Sequence, residues 1–181
     1  MTGAMLTIAL PSCVLRPWSS RDVDALVRHA DDRNVWINLR DRFPQPYSHT
    51  DAVRWIELAQ ELPSDTQFAV EVDGEAAGGI GLEMQSDIER ASAEVGFWLG
   101  QACWGRGIMT QAVRAFSDFA LNRPGCIRLY ASVLAWNPAS MRVLEKSGYQ
   151  REGCMRRSAI KDGRIVDRIL YARVREDDGA R

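Results

Sequence analysis

The segment AEVGFWLGQACWGRGIMTQAVRAF, residues 93–116, decides the fold of this chain. Its first part reads as a strand, and its last part places Val113 and Phe116 on one face of a helix. The segment CIRLYASVL, residues 126–134, reads as a second strand. Two strands joined by a helix of this length normally lie parallel, with a right-handed crossover. We therefore expect a β-α-β unit in which a glycine-rich loop precedes the helix.

Gly100, Gly105 and Gly107 cluster in that loop. The first amide groups of a helix have no acceptor within it, and the helix dipole adds partial positive charge at the same end. Because glycine lets the backbone approach a ligand closely, the pattern predicts an anion site. The loop matches neither the dinucleotide-binding fingerprint nor the Walker loop. A plain strand-to-helix turn remains an alternative.

The rest of the chain predicts further strands and helices around this unit. A first strand is expected at residues 12–18, a helix from about residue 20, and a second helix at roughly 50–62. A hairpin turn is predicted at Asp73-Gly74, and two late strands at 150–157 and 164–174 with a turn at Asp162-Gly163. Asn137, Pro138 and Gly148 have the spacing of a helix cap, a first helical residue and a helix end. Together, these elements predict an α/β (α+β) fold whose sheet has about seven strands.

The amino-acid composition limits the classes of protein to which this chain can belong. The 181 residues are 46% hydrophobic and 26% charged, with a net charge of −1. These values predict one domain over residues 1–181, with a core of about 12–174 and short mobile tails. We expect a cytoplasmic protein with no membrane segment and no nucleic-acid partner. The four cysteines and two histidines lack metal-ligand spacing, so no metal is expected.

Two motifs carry a resemblance to a known family. They are WGRGIMT at residues 104–110 and NPASMRVLEKSGY at residues 137–149. With their spacing they resemble the GNAT superfamily of acetyl-CoA-dependent N-acetyltransferases, and within it the RimJ/RimL branch of ribosomal-protein N-terminal acetyltransferases. The resemblance spans roughly residues 12–174. It implies a single GNAT-type domain with a mostly antiparallel sheet, one parallel strand pair, and helices on both faces.

The resemblance also implies that acetyl-CoA is the co-substrate and indicates which residues bind it. Trp104 stands at the first position of the loop, where the wider superfamily carries Gln or Arg. The pantetheine arm is implied to lie between the parted strands and to contact Asn137, which can also cap its helix. The loop amides implied to wrap the pyrophosphate are those of Gly105, Arg106, Gly107, Met109 and Thr110. The strand positions implied to bond the pantetheine arm are Phe97, Trp98 and Leu99.

Direct attack by a primary amine requires a base, because the amine is mostly an ammonium ion near neutral pH. Glu152 matches a glutamate of the RimJ/RimL branch and is favoured over Glu94, with Glu83 as a further candidate. The leaving thiolate requires a proton. Leu144 occupies the position of the tyrosine that many GNAT members use for this. The predicted donor is therefore Ser140, which matches a serine of the branch, or a water molecule that Ser140 holds; an ordinary serine in the first turn of a helix is the alternative.

The sequence leaves open which amine accepts the acetyl group. Residues 39–56 resemble the substrate-side helices of the branch more weakly, and Trp36, Tyr47, Trp55 and Glu83 are predicted substrate contacts, with core packing as the alternative for the aromatic residues. The amine is a protein N-terminal α-amino group or a small molecule such as a polyamine, an aminoglycoside or an amino acid. A non-catalytic acyl-CoA sensor is a further alternative, which Leu144 favours. A homodimer is also compatible with the sequence.

Overall fold

The computed structural model describes residues 6–176. Its strands are β1 (Ile8–Ala9), β2 (Val14–Arg16), β3 (Gln67–Val72), β4 (Glu75–Met84), β5 (Ser92–Leu99), β6 (Arg128–Leu134), β7 (Gln150–Lys161) and β8 (Arg164–Val174). Its α-helices are α1 (Val23–Ala30), α2 (Arg33–Trp36), α3 (His49–Glu61), α4 (Ile108–Leu121) and α5 (Pro138–Lys146). The predicted tails fall mostly on residues 1–5 and 177–181, outside the described residues.

The strands form one mixed sheet in the order β1-β2-β3-β4-β5-β6-β8-β7. Strands β5 and β6 are parallel. The other neighbouring pairs are antiparallel. This confirms the predicted β-α-β unit, because α4 connects the two parallel strands, and it confirms a mostly antiparallel sheet around them.

Helices cover both faces of the sheet, and the alternation along each strand assigns side chains to the two faces. In β3, Phe68 and Val70 belong to a buried cluster shared with α4 and α5, whereas Ala69 belongs to a second cluster shared with α1 and α3. Successive side chains of a strand point to opposite faces. The sheet is therefore the middle layer of three, which confirms the predicted architecture.

Local turn and cap signals are also confirmed. Asp73 and Gly74 have φ values of 52° and 88°, and Asp162 and Gly163 have 51° and 72°. Positive φ at both central residues is typical of a type I′ hairpin turn. Ser48 and Asp51 form a capping box that starts α3 at His49, within one residue of the predicted start at about 50.

Three elements differ from the sequence prediction. Strand β1 lies in the predicted N-terminal tail and gives the sheet eight strands where about seven are predicted. With only two residues, it is too short to show the alternation that predicts a strand. Helix α2 is four residues long and lies in a segment that reads as turns. Strand β7 extends to Lys161, beyond the predicted end at residue 157, because its hairpin with β8 continues as far as the turn.

A buried ion pair fixes the start of α1 to the sheet. Arg16 of β2 donates from its two terminal nitrogens to the Asp22 carboxylate at 2.8 and 2.7 Å. Arg16 also pairs with Glu71 of β3, and the two carboxylates raise the pKa of Arg16. Removing one partner of a buried pair of this kind costs about 3–5 kcal/mol, because it leaves an uncompensated charge. The pair thereby holds the layer of α1 and α3 against β2 and β3.

Within residues 6–176, none of the helices is long and apolar enough to cross a bilayer. The same residues contain no group of three or more His, Cys, Asp or Glu side chains placed to hold a metal ion.

Candidate active site

The site begins where the two parallel strands part. Strands β5 and β6 pair only at Ser92 with Arg128, Ala93 with Leu129, and Glu94 with Tyr130. Beyond Glu94, β5 continues to Leu99 paired with β4, and beyond Tyr130, β6 continues to Leu134 paired with β8. A gap therefore opens in the sheet between residues 95–99 and 131–134. Along it, the edge of β5 presents backbone groups that have no strand partner.

The glycine-rich loop lies at the open end of this gap. Its start is tied to the sheet, since the Gly100 amide donates to Ala77 O at 2.8 Å and the Trp104 indole donates to Leu99 O at 2.7 Å. Gly105 and Gly107 have φ values of 76° and 74°, and a Cβ added at either would meet no atom within 4 Å. The loop thus presents open space above a backbone that only glycine adopts readily.

The start of α4 provides hydrogen-bond donors for a ligand that occupies this space. The helical ladder begins with the Gln111 amide, which donates to Gly107 O at 3.2 Å. The amides of Ile108, Met109 and Thr110 precede it and have no acceptor within the helix. Free N–H groups at the positive end of a 14-residue helix fit a pyrophosphate.

Two unpaired polar atoms lie on the elements that border the open end. Gln111 Oε1, in the first turn of α4, is buried without a hydrogen-bond partner among the described residues. Trp136 Nε1, in the loop after β6, is likewise buried and unpaired there. Buried polar groups are nearly always satisfied, so such atoms call for a ligand or water. The residues around the gap therefore fit a long, polar, phosphorylated ligand such as coenzyme A.

Asn137 and Ser140 lie just beyond the end of β6. Asn137 Oδ1 accepts from the Ser140 amide at 3.1 Å and caps α5, while Asn137 Nδ2 donates to Ser140 Oγ at 3.0 Å. The cap that the sequence predicts is therefore confirmed. Because the Ser140 hydroxyl is an acceptor in this pair, it retains its own proton for another group. Leu144 is fully buried and packs in the core.

Glu94 lies at the closed end of the gap. It is the last residue of β5 paired with β6, and it lies directly opposite Glu83 in the β4–β5 register. Like charges at opposite positions destabilise a sheet. The segment between α2 and α3 offsets this repulsion by supplying one arginine to each carboxylate. Arg40 forms an ion pair with Glu94, and Arg42 approaches Glu83 at 3.8 Å. The Glu94 side chain is 19% exposed and that of Glu83 is 63% exposed, so Glu94 is the enclosed carboxylate.

Glu152 lies elsewhere. Its carboxylate accepts from a terminal nitrogen of Arg128 at 2.7 Å and from the second one as well, and this pair lowers the pKa of Glu152. Glu152 belongs to β7, and β8 lies between β7 and β6 in the sheet. Glu152 is therefore further from the gap between β5 and β6 than Glu94, which belongs to β5 itself.

The predicted substrate aromatics separate into two groups. Tyr47 is 5% exposed and packs on Phe43 with ring centroids 4.8 Å apart. Trp55 packs edge-to-face on Trp18 at 6.4 Å. Tyr47 belongs to the buried cluster beneath α1 and α3, and the partly buried Trp55 packs against this cluster, which supports core packing for both. Trp36 differs, because Lys161 Nζ lies 3.6 Å from its ring centroid at the rim of a cleft.

The amino-acid sequence alone does not predict that cleft. Its volume is about 260 Å³, and its lining includes Asn38, Arg40, Ser132, Ser158, Lys161 and Arg168. Ser132 follows Tyr130 on the same face of β6, so the cleft adjoins the closed end of the gap. The residues come from four separate parts of the chain, and no local motif joins them. The one available signal is the alternation in RLYASVL, which places Tyr130 and Ser132 on one face.

Comparison with known proteins identifies the family. The acetyltransferase (GNAT) domain model matches residues 13–150. The L-amino acid N-acetyltransferase AaaT of Escherichia coli is 24% identical over 163 residues, which cover 90% of this chain and 98% of the relative. The uncharacterized N-acetyltransferase p20 of Bacillus licheniformis is 25% identical over 181 residues, with coverage of 96% and 98%.

A solved structure shows the same fold. The ribosomal α-N-protein acetyltransferase RimL, in complex with coenzyme A, superposes with a TM-score of 0.80 at 23% identity, covering 93% of this chain and 98% of that one. The family model spans most of the chain, including both strands of the gap and the loop between them. The chain therefore belongs to the GNAT family of acetyltransferases, which take the acetyl group from acetyl-CoA.

Proposed function

We propose that this acetyltransferase transfers the acetyl group to the α-amino group of its acceptor by direct attack at the point where β5 and β6 part. The observation that carries the proposal is the meeting of three features at one gap: the unpaired edge of β5, the free amides of the loop, and the enclosed carboxylate of Glu94. The α-amino acceptor is supported by the names of two similar proteins, an α-N-protein and an L-amino acid acetyltransferase.

The loop and β5 would hold the donor. The pyrophosphate suits the backbone amides of Gly105, Arg106, Gly107, Met109 and Thr110. The pantetheine arm suits the backbone of residues 97–99, since β5 has no partner on that side. The donor supplies an activated thioester, and an unpaired N–H of β5 is suited to stabilise the oxyanion that forms on attack.

We assign the base to Glu94. A base must lie near the amine that it deprotonates, and Glu94 is the carboxylate at the closed end of the gap. Glu152 is less suited, because it lies in β7, and β8 separates that strand from β6 and the gap. Glu94 would take the proton directly or through one water molecule.

Ser140 is the proposed proton donor to the leaving thiolate. Its hydroxyl lies at the start of α5, beside the open end of the gap, and Asn137 fixes its orientation. The residue thereby replaces the tyrosine that the buried Leu144 cannot supply.

The loop assignment predicts a specific loss of coenzyme A affinity in Gly107→Ala. The methyl group enters the space above the loop, and alanine is strained at a φ of 74°. We expect the Kd for coenzyme A, measured by calorimetry, to rise about tenfold or more because the backbone no longer approaches the phosphates closely.

The matched control is Gly163→Ala in the β7–β8 turn. Gly163 has a φ of 72° and equally open surroundings, so the substitution imposes the same backbone strain away from the gap. Its Kd should equal that of the wild type. Equal Kd values for all three proteins would refute the role of the loop.

The base assignment predicts a pH-dependent defect in Glu94→Gln. We expect kcat/KM for the amine to fall about 100-fold near pH 7. The defect should shrink as the pH approaches the pKa of the amine, because the free amine then forms without a base. Steady-state release of coenzyme A thiol between pH 6 and about 10 measures this.

Glu152→Gln serves as the comparison for that experiment. Since Glu152 lies in β7, with β8 between it and the gap, its loss should leave the profile unchanged. A normal profile for Glu94→Gln together with a defect in Glu152→Gln would reverse the assignment.

Ser140→Ala tests the proton donor without removing the cap, because Asn137 still accepts from the backbone amide at residue 140. We expect kcat to fall about tenfold or more at saturating substrates, since general acid catalysis is lost. The Kd for coenzyme A should be unchanged. An unaltered kcat would exclude Ser140 as the donor.

A further inference from the structure

The cleft beside Glu94 contains a guanidinium group that has no carboxylate partner within residues 6–176. Arg168 of β8 donates from Nε to Ser158 Oγ at 3.1 Å and from one terminal nitrogen to Ser132 Oγ at 3.2 Å. A guanidinium carries five N–H donors, so three of them have no acceptor among the described residues. The two hydroxyls hold the side chain in place and leave its charge unbalanced.

The other charges of the cleft are paired. Lys161 Nζ lies 2.8 Å from Asp41 Oδ1, and Arg40 forms its ion pair with Glu94. Arg168 is therefore the cation that remains for a ligand. Arginine in a partly buried site is suited to carboxylates, because its planar fork binds both oxygens at once.

Arg168 is also close to the proposed point of attack. Ser132, which accepts its hydrogen bond, is two residues beyond Tyr130, the last residue of β6 that pairs with β5. Two residues correspond to about 7 Å along the strand. A small molecule with an amine and a carboxylate a few bonds apart can thus place its amine toward Glu94 while Arg168 binds its carboxylate.

We propose that Arg168 determines acceptor specificity and that the acceptor is an amine with a carboxylate close to it. The unpaired charge disfavours polyamines and aminoglycosides, which bring further cations to the cleft. This inference rests on the proposed function, since it names the acceptor of the same reaction. The carboxylate is either the α-carboxylate of a free amino acid or an acidic side chain next to a peptide N-terminus.

The test compares acceptors that differ only in this group. Coenzyme A thiol release is measured with the standard L-amino acids, with their carboxamides, with spermidine, and with peptides that carry Glu or Gln at the second position. We expect the wild type to prefer an amino acid over its carboxamide by about tenfold or more in kcat/KM, because a charge-assisted hydrogen bond is lost in the amide. A preference confined to Glu peptides over Gln peptides would instead identify the acidic side chain as the source.

Arg168→Gln should abolish the preference by raising KM for the carboxylate-bearing acceptor, while kcat/KM for the carboxamide stays the same. Arg164→Gln is the matched control, since it removes an exposed arginine from the same strand and should change neither value. Equal kcat/KM for acids and amides in the wild type, or an equal loss for both in Arg168→Gln, would overturn the inference and leave the proposed function standing. If no acceptor gave thiol release while coenzyme A binding stayed intact, both this inference and the proposed function would be refuted.

Discussion

The site depends on a short stretch of parallel pairing. Strands β5 and β6 share three residue pairs, and then each follows its other neighbour. A longer ladder would close the sheet and satisfy the edge of β5 internally. A shorter one would separate Glu94 from Tyr130 and move the closed end of the gap away from Glu94. The gap is therefore part of the sheet register, and α4 turns its positive end toward the same opening because it follows β5 directly along the chain.

Charge is arranged differently on the two sides of this gap. On the side of the glycine-rich loop, the free groups are backbone amides, and the side chain of Arg106 is paired with Asp73 in the β3–β4 turn at 3.2 Å. At the closed end of the gap, the charges belong to side chains, and Arg40 and Arg42 meet Glu94 and Glu83. The segment between α2 and α3 thus neutralises two carboxylates that face each other across β4 and β5. This arrangement suits a reaction that needs an anionic base in an enclosed place.

The parts of the fold that sequence predicts are those set by local signals. Asp73-Gly74 and Asp162-Gly163 specify their turns, and Asn137 with Pro138 specifies the start of α5, because each involves only a few adjacent residues. The placement of Glu152 depends on the register of β7 against β8, where the pairing shifts between Arg151 and Gly153. No local pattern encodes that shift. The cleft around Arg168 joins residues from β6, β7, β8 and the segment after α2, so tertiary structure alone reveals it.

The most direct test of the account is amide hydrogen exchange, compared with and without saturating coenzyme A. The amides of residues 105–110 lack acceptors within α4. Beyond Glu94, β5 has no partner on the side of β6, so the loop amides and the β5 amides that face the gap should exchange readily in the free protein. We expect coenzyme A to slow exchange at residues 97–99 and 105–110. Binding of coenzyme A with no protection there, or with protection confined to another part of the sheet, would contradict it.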